Sequence, residues 1–244
     1  MIEKIEGFVI DVIKHSDRHN VVTLYTRLRG RMSFLSPVSK GKTGRMKNSR
    51  IMPLSYISAE VRLKGNKSLQ LLPAVAPVVV WRSLYFSPVK SSLVFFMSEF
   101  LNNLLRNYPA DTALWDYIRE SLMFLDEADD LKLANFHIAF LVRMLPFVGI
   151  TPPISSYSPG SYFNMEKADF ILNPISRNSS NLLNQADTSF LPRLYRISFN
   201  NQHRFRFTSA NRSRILSLLL RYYSLHLPMP SSLKSLEILH TIFE

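Results

Sequence analysis

NVVTLYTRLRGRMSFL, residues 20–35, is the stretch on which the fold turns. Asn20–Thr26 is rich in β-branched and aromatic residues, and Gly30 supplies a turn into Arg31–Leu35, so the segment predicts an antiparallel hairpin. Outward from it, Gly7–Ile13 predicts a strand on the N-terminal side. On the C-terminal side, Tyr56–Leu63 and Ser68–Val75 predict a second hairpin, joined by Lys64-Gly65-Asn66-Lys67, whose Gly-Asn pair signals a tight turn. Five strands within about 75 residues predict a small barrel. The OB-fold, the five-stranded barrel used most often for oligonucleotides, fits this pattern, and an SH3-like barrel fits the strand count nearly as well.

The hairpin also opens a run of cations. Between residues 27 and 50 lie Arg27, Arg29, Arg31, Lys40, Lys42, Arg45, Lys47 and Arg50, eight basic side chains without one acid. Clustered cations suit a phosphate backbone because each neutralised phosphate releases condensed counterions. The wider charge distribution agrees. The chain of 244 residues has a formal charge of +12, yet residues 1–80 alone carry 14 Lys/Arg against 5 Asp/Glu, net +9. Residues 81–150 are net −2 and residues 151–244 net +5. Such asymmetry favours a polyanionic partner, nucleic acid ahead of an anionic membrane surface, with a merely solubilising surface as the alternative.

With 46% hydrophobic residues the chain has ample material for a core. It has no cysteine, which excludes disulfides and thiolate metal sites and fits a reducing compartment. Charges interrupt the apolar residues of MIEKIEGFVIDVIK, so no signal peptide is predicted there, and no apolar run reaches a membrane-spanning length. A cytoplasmic protein is expected.

After Trp81 the apolar period changes from two to about 3.6. Ser87-Pro88 reads as an N-cap followed by proline at the first helical position, opening a helix that ends near Tyr108-Pro109. Asp111 caps a second helix through Leu125, and the acidic run Asp126–Asp130 precedes a third that reaches about Val148. That run reads as carboxylates stabilising the positive end of a helix dipole, not as a metal site. Residues 151–188, rich in Ser, Pro and Asn, predict irregular loops or a small hairpin around Phe170-Ile171-Leu172. Helical patterns resume at Ser189–Ile197, Ser209–Leu225 and Ser232–Phe243. The expected architecture is α+β: a five-stranded OB-type barrel over residues 1–80, then a helical bundle domain over 81–244 with an irregular insertion at 151–188.

Signatures of catalysis fail one by one. Gly41-Lys42-Thr43 resembles the end of a phosphate-binding loop, but Ser36 stands where that motif needs glycine. The six histidines, at 15, 19, 137, 203, 226 and 240, have no metal-ligand spacing, and no G-x-S-x-G elbow occurs. No cofactor and no metal are expected. Tyr25, Phe34 and Tyr56 are candidates for stacking on bases, although alternating strand aromatics in a small barrel belong to the core more often. A second basic cluster, Arg204, Arg206, Arg212 and Arg214, lies at the start of a helix, suited to extending a DNA path or to an acidic partner.

Read in order along the chain, these segments resemble the RecO family of bacterial recombination mediators. The strand Val21–Thr26 running into Gly30–Phe34, followed by Ser39-Lys40-Gly41-Lys42, resembles that family's N-terminal barrel and basic loop. Phe147-Val148-Gly149-Ile150-Thr151-Pro152 resembles its central Leu-Gly-x-x-Pro region, and Leu219–Tyr223 with Leu233-Lys234-Ser235 its C-terminal helices. The resemblance spans the chain and rests on order and spacing, since each motif alone is weak. It departs at Ser155–Phe170, where many members have a four-cysteine zinc element and this chain has no cysteine.

The resemblance implies a non-enzymatic protein that binds single- and double-stranded DNA, anneals complementary strands, and helps RecA replace single-strand-binding protein, together with RecR, in the bacterial cytoplasm at the nucleoid. It makes Arg31, Lys40, Lys42, Arg45, Lys47 and Arg50 the DNA-binding set. It also implies that the helical domain holds the acidic, apolar C-terminal tail of single-strand-binding protein. Lys132 and Arg143 are the candidate cations for its carboxylate, but the adjacent acidic run would repel such a tail, which leaves a docking site elsewhere on the bundle as the alternative. An RNA-binding OB protein and an adaptor without mediator activity are the alternatives.

Overall fold

Strand β1, Ile2–Lys14, runs through the middle of a six-stranded sheet and pairs antiparallel with both β2, His19–Thr26, and β4, Tyr56–Arg62. The structure, a computed structural model, describes residues 2–38, 50–63, 69–174 and 179–243. These fall into two compact units, residues 1–128 with 237–242, and residues 129–236 with 243–244.

In the first unit, β2 continues antiparallel into β3, Gly30–Pro37, so the hairpin read from residues 20–35 is present. Its turn closes through the Thr26 hydroxyl, which donates to the Gly30 carbonyl at 3.0 Å and accepts from the Arg29 N–H at 3.2 Å. Gly30 has φ +64, a left-handed conformation that side chains disfavour. The second expected hairpin is not found. Among the described residues of the expected fifth strand only Gln70–Leu71 pairs, as β5, and it lies parallel to Phe34–Leu35 of β3. The free side of β4 is taken instead by a sixth strand, β6, Ala76–Pro77, so the order is β5-β3-β2-β1-β4-β6. The joining residues 64–67 lie outside the described residues. Pairing of β5 beyond β3 curls the sheet into a half-barrel, consistent with an OB-fold, around Ile5, Val9, Val22, Leu24, Phe34, Ile57, Val61 and Leu72.

Both faces of the sheet centre are covered. A bulge at Ile10 breaks the alternation of β1, so that Val9 and Ile10 are both buried, and the Ser98 hydroxyl of helix α1, Pro88–Leu104, donates to the Ile10 carbonyl at 3.0 Å. On the outer face Phe8 is in register with Tyr25 on one side and Tyr56 on the other. Trp115 of helix α2, Thr112–Glu127, packs over this row, its ring 5.1 Å from Phe8 and 5.4 Å from Tyr56. Tyr25, Phe34 and Tyr56 are therefore core residues and give no exposed platform for bases: the helix layer consumes one aromatic face and the barrel interior the other. Burial raises the Tyr25 phenol well above its ordinary value, and burial with the bond to Glu6 pushes Tyr56 up to about 12.

The expected helix caps are present. The Ser87 side chain accepts from the Lys90 N–H with Pro88 at the first helical position, and Asp111 accepts from the N–H groups of Ala113 and Leu114. The first helix stops at Leu104, about a turn before the expected end. The acidic run divides differently from expectation. Asp129 caps a single 3-10 turn, Asp130–Lys132, whereas Asp126 turns back to the chain at residues 82–84.

The second unit packs α3, Phe136–Met144, against α4, Gln185–Leu194, and α5, Ser209–His226, through Ile138, Ala139, Val142, Leu194 and Ile197. The last helix, α6, Leu236–Phe243, has its residues 237–242 in the first unit. α3 thus starts later and ends earlier than its apolar pattern predicted. Its N-cap residue Asn135 makes no capping bond because its side chain is drawn to the carbonyls of Gln202 and Phe205, at 2.9 and 2.7 Å.

Residues 151–188 contain a small sheet ordered β8-β7-β9, formed by β7, Tyr162–Asn164, β8, Asp169–Ile171, and β9, Leu182–Leu183. Phe163 centres it, 4.9 Å from the Phe170 ring and 5.9 Å from that of Tyr222. Buried Thr188 accepts from the Phe163 N–H at 3.0 Å, and a His226 ring nitrogen lies 2.7 Å from the Met165 carbonyl. A zinc element does not fit these residues: the chain has no cysteine, and among the described residues no group of three His, Asp or Glu could hold a metal.

Candidate functional site

Four cations of the basic stretch of residues 27–50 lie among the described residues, Arg27, Arg29, Arg31 and Arg50, and each is bonded to the protein itself. Arg27 leaves the β2–β3 turn and forms a two-pronged pair with Asp116, Nε to Oδ1 at 3.3 Å and Nη2 to Oδ2 at 3.0 Å, with its guanidinium 5.9 Å from the Trp115 ring centre. Arg29 pairs likewise with Glu3, at 3.0 and 2.7 Å. These bonds raise both arginines and hold both carboxyls below their ordinary values. Arg31 points inward and donates to the Asn102 carbonyl of α1 at 2.8 Å. Burial pulls its pKa down, Asp11 opposes that shift and Arg106 adds to it. Arg50 donates to the Val75 carbonyl at 3.3 Å and is otherwise exposed. Lys40, Lys42, Arg45 and Lys47 lie outside the described residues.

One exposed cation beside that segment escaped the sequence reading. Ser16 accepts from the N–H groups of Arg18 and His19 and rigidifies the β1–β2 turn, and the Val38 N–H donates to the Arg18 carbonyl at 2.8 Å. Arg18 therefore stands where the chain leaves β3 towards residues 39–49, with no acidic side-chain partner among the described residues. An isolated arginine in a turn has no sequence pattern. Only the register of β2 with β3 reveals its neighbours.

The second basic cluster does not act as one patch. Arg212 is spent on backbone, donating to the Phe207 carbonyl at 2.8 Å and the Phe243 carbonyl at 2.6 Å. Arg214 pairs with Asp187 at 2.5 Å. Arg212 stands in the first turn of α5, where a cation opposes the helix dipole, and its two backbone bonds offset that cost. Arg204 is exposed at the end of a 3-10 turn, Gln202–Arg204. Arg206 is exposed, and it joins Arg214 and Arg193 in lining a cavity of about 380 Å³ within the second unit.

That cavity is walled mainly by apolar side chains, including Val142 of α3, Phe190 of α4, Leu219 of α5 and Phe207 of the segment just before α5. Arg193 lies 6.0 Å from the Phe190 ring centre and 5.8 Å from that of Phe205. Apolar walls with a few cations suit a ligand that is apolar and anionic at once. Neither Lys132 nor Arg143 lines it. Arg143 donates to the Ile197 carbonyl at 2.6 Å, and Lys132 is exposed, its own carbonyl accepting from the Gln202 amide.

The described helices include none long and apolar enough to cross a membrane. Comparison with known proteins gives two family matches, described as "Recombination protein O N terminal" over residues 1–79 and "Recombination protein O C terminal" over residues 86–237. Similar proteins named "DNA repair protein RecO" occur in Bacteroides fragilis (strain ATCC 25285), 33% identical, and in Phocaeicola vulgatus, 32% identical, each match covering 100% of both chains. A further relative of that name, from Flavobacterium psychrophilum, is 27% identical over 98% of both chains.

Proposed function

We propose, since the chain belongs to the RecO family of DNA repair proteins, that it is a non-enzymatic recombination mediator. It binds single- and double-stranded DNA through the basic segment of its N-terminal unit, anneals complementary strands, and acts with RecR to help RecA onto DNA coated with single-strand-binding protein. The observation that carries this reading is a stretch of sequence, residues 27–50, with eight cations and no acid, in a unit whose sheet forms an OB-type half-barrel. Annealing needs no bond chemistry. A basic surface lowers the repulsion between two phosphate backbones and raises their local concentration, and contacts to phosphate position strands without reading bases.

The cations have different parts in this reading. Lys40, Lys42, Arg45 and Lys47 carry the phosphate contacts, joined by Arg50 and by Arg18 of the neighbouring turn. Arg31 supports them from within, bonded to α1. In the second unit, the cavity suits the tail of single-strand-binding protein: its apolar end enters among Phe190, Phe207 and Leu219, and its carboxylates meet Arg206 and Arg214. These arginines suit that tail better than Lys132 and Arg143.

The test is a titration of fluorescent single-stranded DNA across a salt series with the wild type and a Lys42→Ala/Arg45→Ala/Lys47→Ala variant. The variant is expected to fold, to bind more weakly and to show a salt dependence lowered by about 0.7 per lost contact. Unchanged affinity overturns the loop assignment. Preference for RNA over DNA would favour the RNA-binding alternative, and no nucleic-acid binding at low salt the adaptor.

A further inference from the structure

We infer that Asp187 is a built-in competitor for anions at the apolar cavity and sets which acidic ligands the cavity accepts. The inference rests on the proposed reading of that cavity as a dock for an acidic, apolar peptide tail, and it adds a determinant on the protein's own side.

Among the described residues three arginines line the cavity, and Asp187 is the only acidic one that does. The four groups are not equivalent. Arg193 is turned to the rings of Phe190 and Phe205. Arg206 is exposed and has no ion-pair partner among the described residues. Arg214 is already engaged, with Nη2 on Asp187 Oδ2 at 2.5 Å. The Asp187 side chain is only 22% exposed against 61% for Arg214, so the acid is held while the arginine is the freer partner. Asn184 does the holding: its amide donates to Asp187 Oδ2 at 3.0 Å, and its oxygen accepts from the Asp187 N–H at 2.9 Å. The carboxylate is therefore fixed at the first turn of α4 and already occupies a position where a ligand's carboxylate would meet Arg214.

Two consequences follow from this geometry. A ligand with one carboxylate finds Arg206 available and Arg214 occupied. A ligand with several carboxylates close to an apolar end can take Arg206 with one and displace Asp187 from Arg214 with another, its apolar side chain filling the cavity meanwhile. The pair thus disfavours small carboxylates and isolated acidic residues and favours a clustered acidic tail, a repulsive element of the kind that specificity requires. Asp187→Asn removes the competing charge but leaves the Asn184 cap intact, because the capping bond uses the Asp187 backbone N–H and the new side chain keeps an oxygen for the Asn184 amide.

The experiment is fluorescence anisotropy with a labelled peptide Asp-Asp-Asp-Leu-Phe ending in a free carboxylate, alongside a control peptide Ser-Ser-Ser-Leu-Phe with the same terminus. Full-length wild type, Asp187→Asn and Asp187→Asn/Arg214→Gln are compared at low and moderate salt, with thermal melts to establish folding. Asp187→Asn is expected to tighten binding of the acidic peptide by about 3- to 10-fold and to narrow the preference over the control, since a lone terminal carboxylate then gains Arg214 as well. The gain should vanish in the double variant. Wild-type binding that is unchanged or weaker in Asp187→Asn overturns the competitor and leaves the dock standing. Absence of binding by all three folded proteins overturns the dock, and the competitor with it.

Discussion

Ser83 and Asp126 join the chain that leaves the sheet to the end of α2. The Ser83 N–H donates to Asp126 Oδ1 at 2.8 Å, and its hydroxyl lies 2.6 Å from the Asp126 carbonyl. The N–H groups of Arg82 and Leu84 reach the same carboxylate at 2.9 and 3.1 Å, and the buried Lys90 ammonium donates to the Asp126 carbonyl at 2.8 Å. Burial alone would raise this carboxyl, but the N–H groups of Arg82 and Ser83, the Ser83 hydroxyl and the Leu84 N–H together hold it below its ordinary value of 3.8.

Asp126→Ala is expected to destabilise the protein by about 1–3 kcal/mol, because several backbone donors lose one acceptor. Urea unfolding measures it. The folded pKa lies below the unfolded one, so the stabilisation is present above about pH 3.8 and is lost as pH falls through the folded value. The stability gap between wild type and Asp126→Asn should therefore shrink in acid. A gap constant from pH 7 to pH 3 contradicts the assignment.

Gly7→Ala should be costly for a steric reason. A Cβ at Gly7 would stand 2.8 Å from the Tyr25 carbonyl oxygen, and the crowded atom is backbone in the sheet centre that cannot swing away. A loss of about 1–3 kcal/mol in chemical denaturation is expected, as for other overpacked cores. A neutral substitution would show that β1 and β2 can part there.

Much of this architecture is legible in the sequence, and the failures have physical causes. The β2–β3 hairpin and the caps at Ser87 and Asp111 are local, so residue type and spacing suffice to predict them. The second hairpin failed because the Gly-Asn signal reports a turn, not the partner: β5 finds β3, and β6 fills the side left open on β4. Tyr56 packs against Trp115, some 60 residues away, and the Tyr25 hydroxyl reaches the Asp111 carbonyl, 86 residues away, contacts that no local pattern indicates. At the candidate site, charge density in the sequence marks residues 27–50 as a cationic run. It could not show that Arg27 and Arg29 meet Asp116 and Glu3, or that Arg212 and Arg214 are already engaged.

Phe163 is the centre on which the cysteine-free sheet of residues 162–183 rests, in contact with Phe170 and Tyr222. Phe163→Ala is expected to cost about 3–5 kcal/mol. Chelator treatment of the wild type, whose donor set does not suit zinc, should leave its melting temperature unchanged. A chelator-induced fall in melting temperature would contradict this account of the segment.

Arg27 and Arg29 are neutralised where they stand, and both pairs are solvent-accessible. The double change Glu3→Gln/Asp116→Asn releases both cations and should leave the melting temperature nearly unchanged, because exposed pairs add little to stability. It is expected to tighten single-stranded DNA binding at low salt and to steepen the salt dependence. If affinity does not change, these two arginines lie off the DNA path.

The most direct test of the central claim is annealing of complementary fluorescent oligonucleotides, bare and coated with single-strand-binding protein, across a salt series. The mediator account predicts annealing on coated strands that falls as salt rises. DNA binding without annealing, or no binding even at low salt, would contradict it.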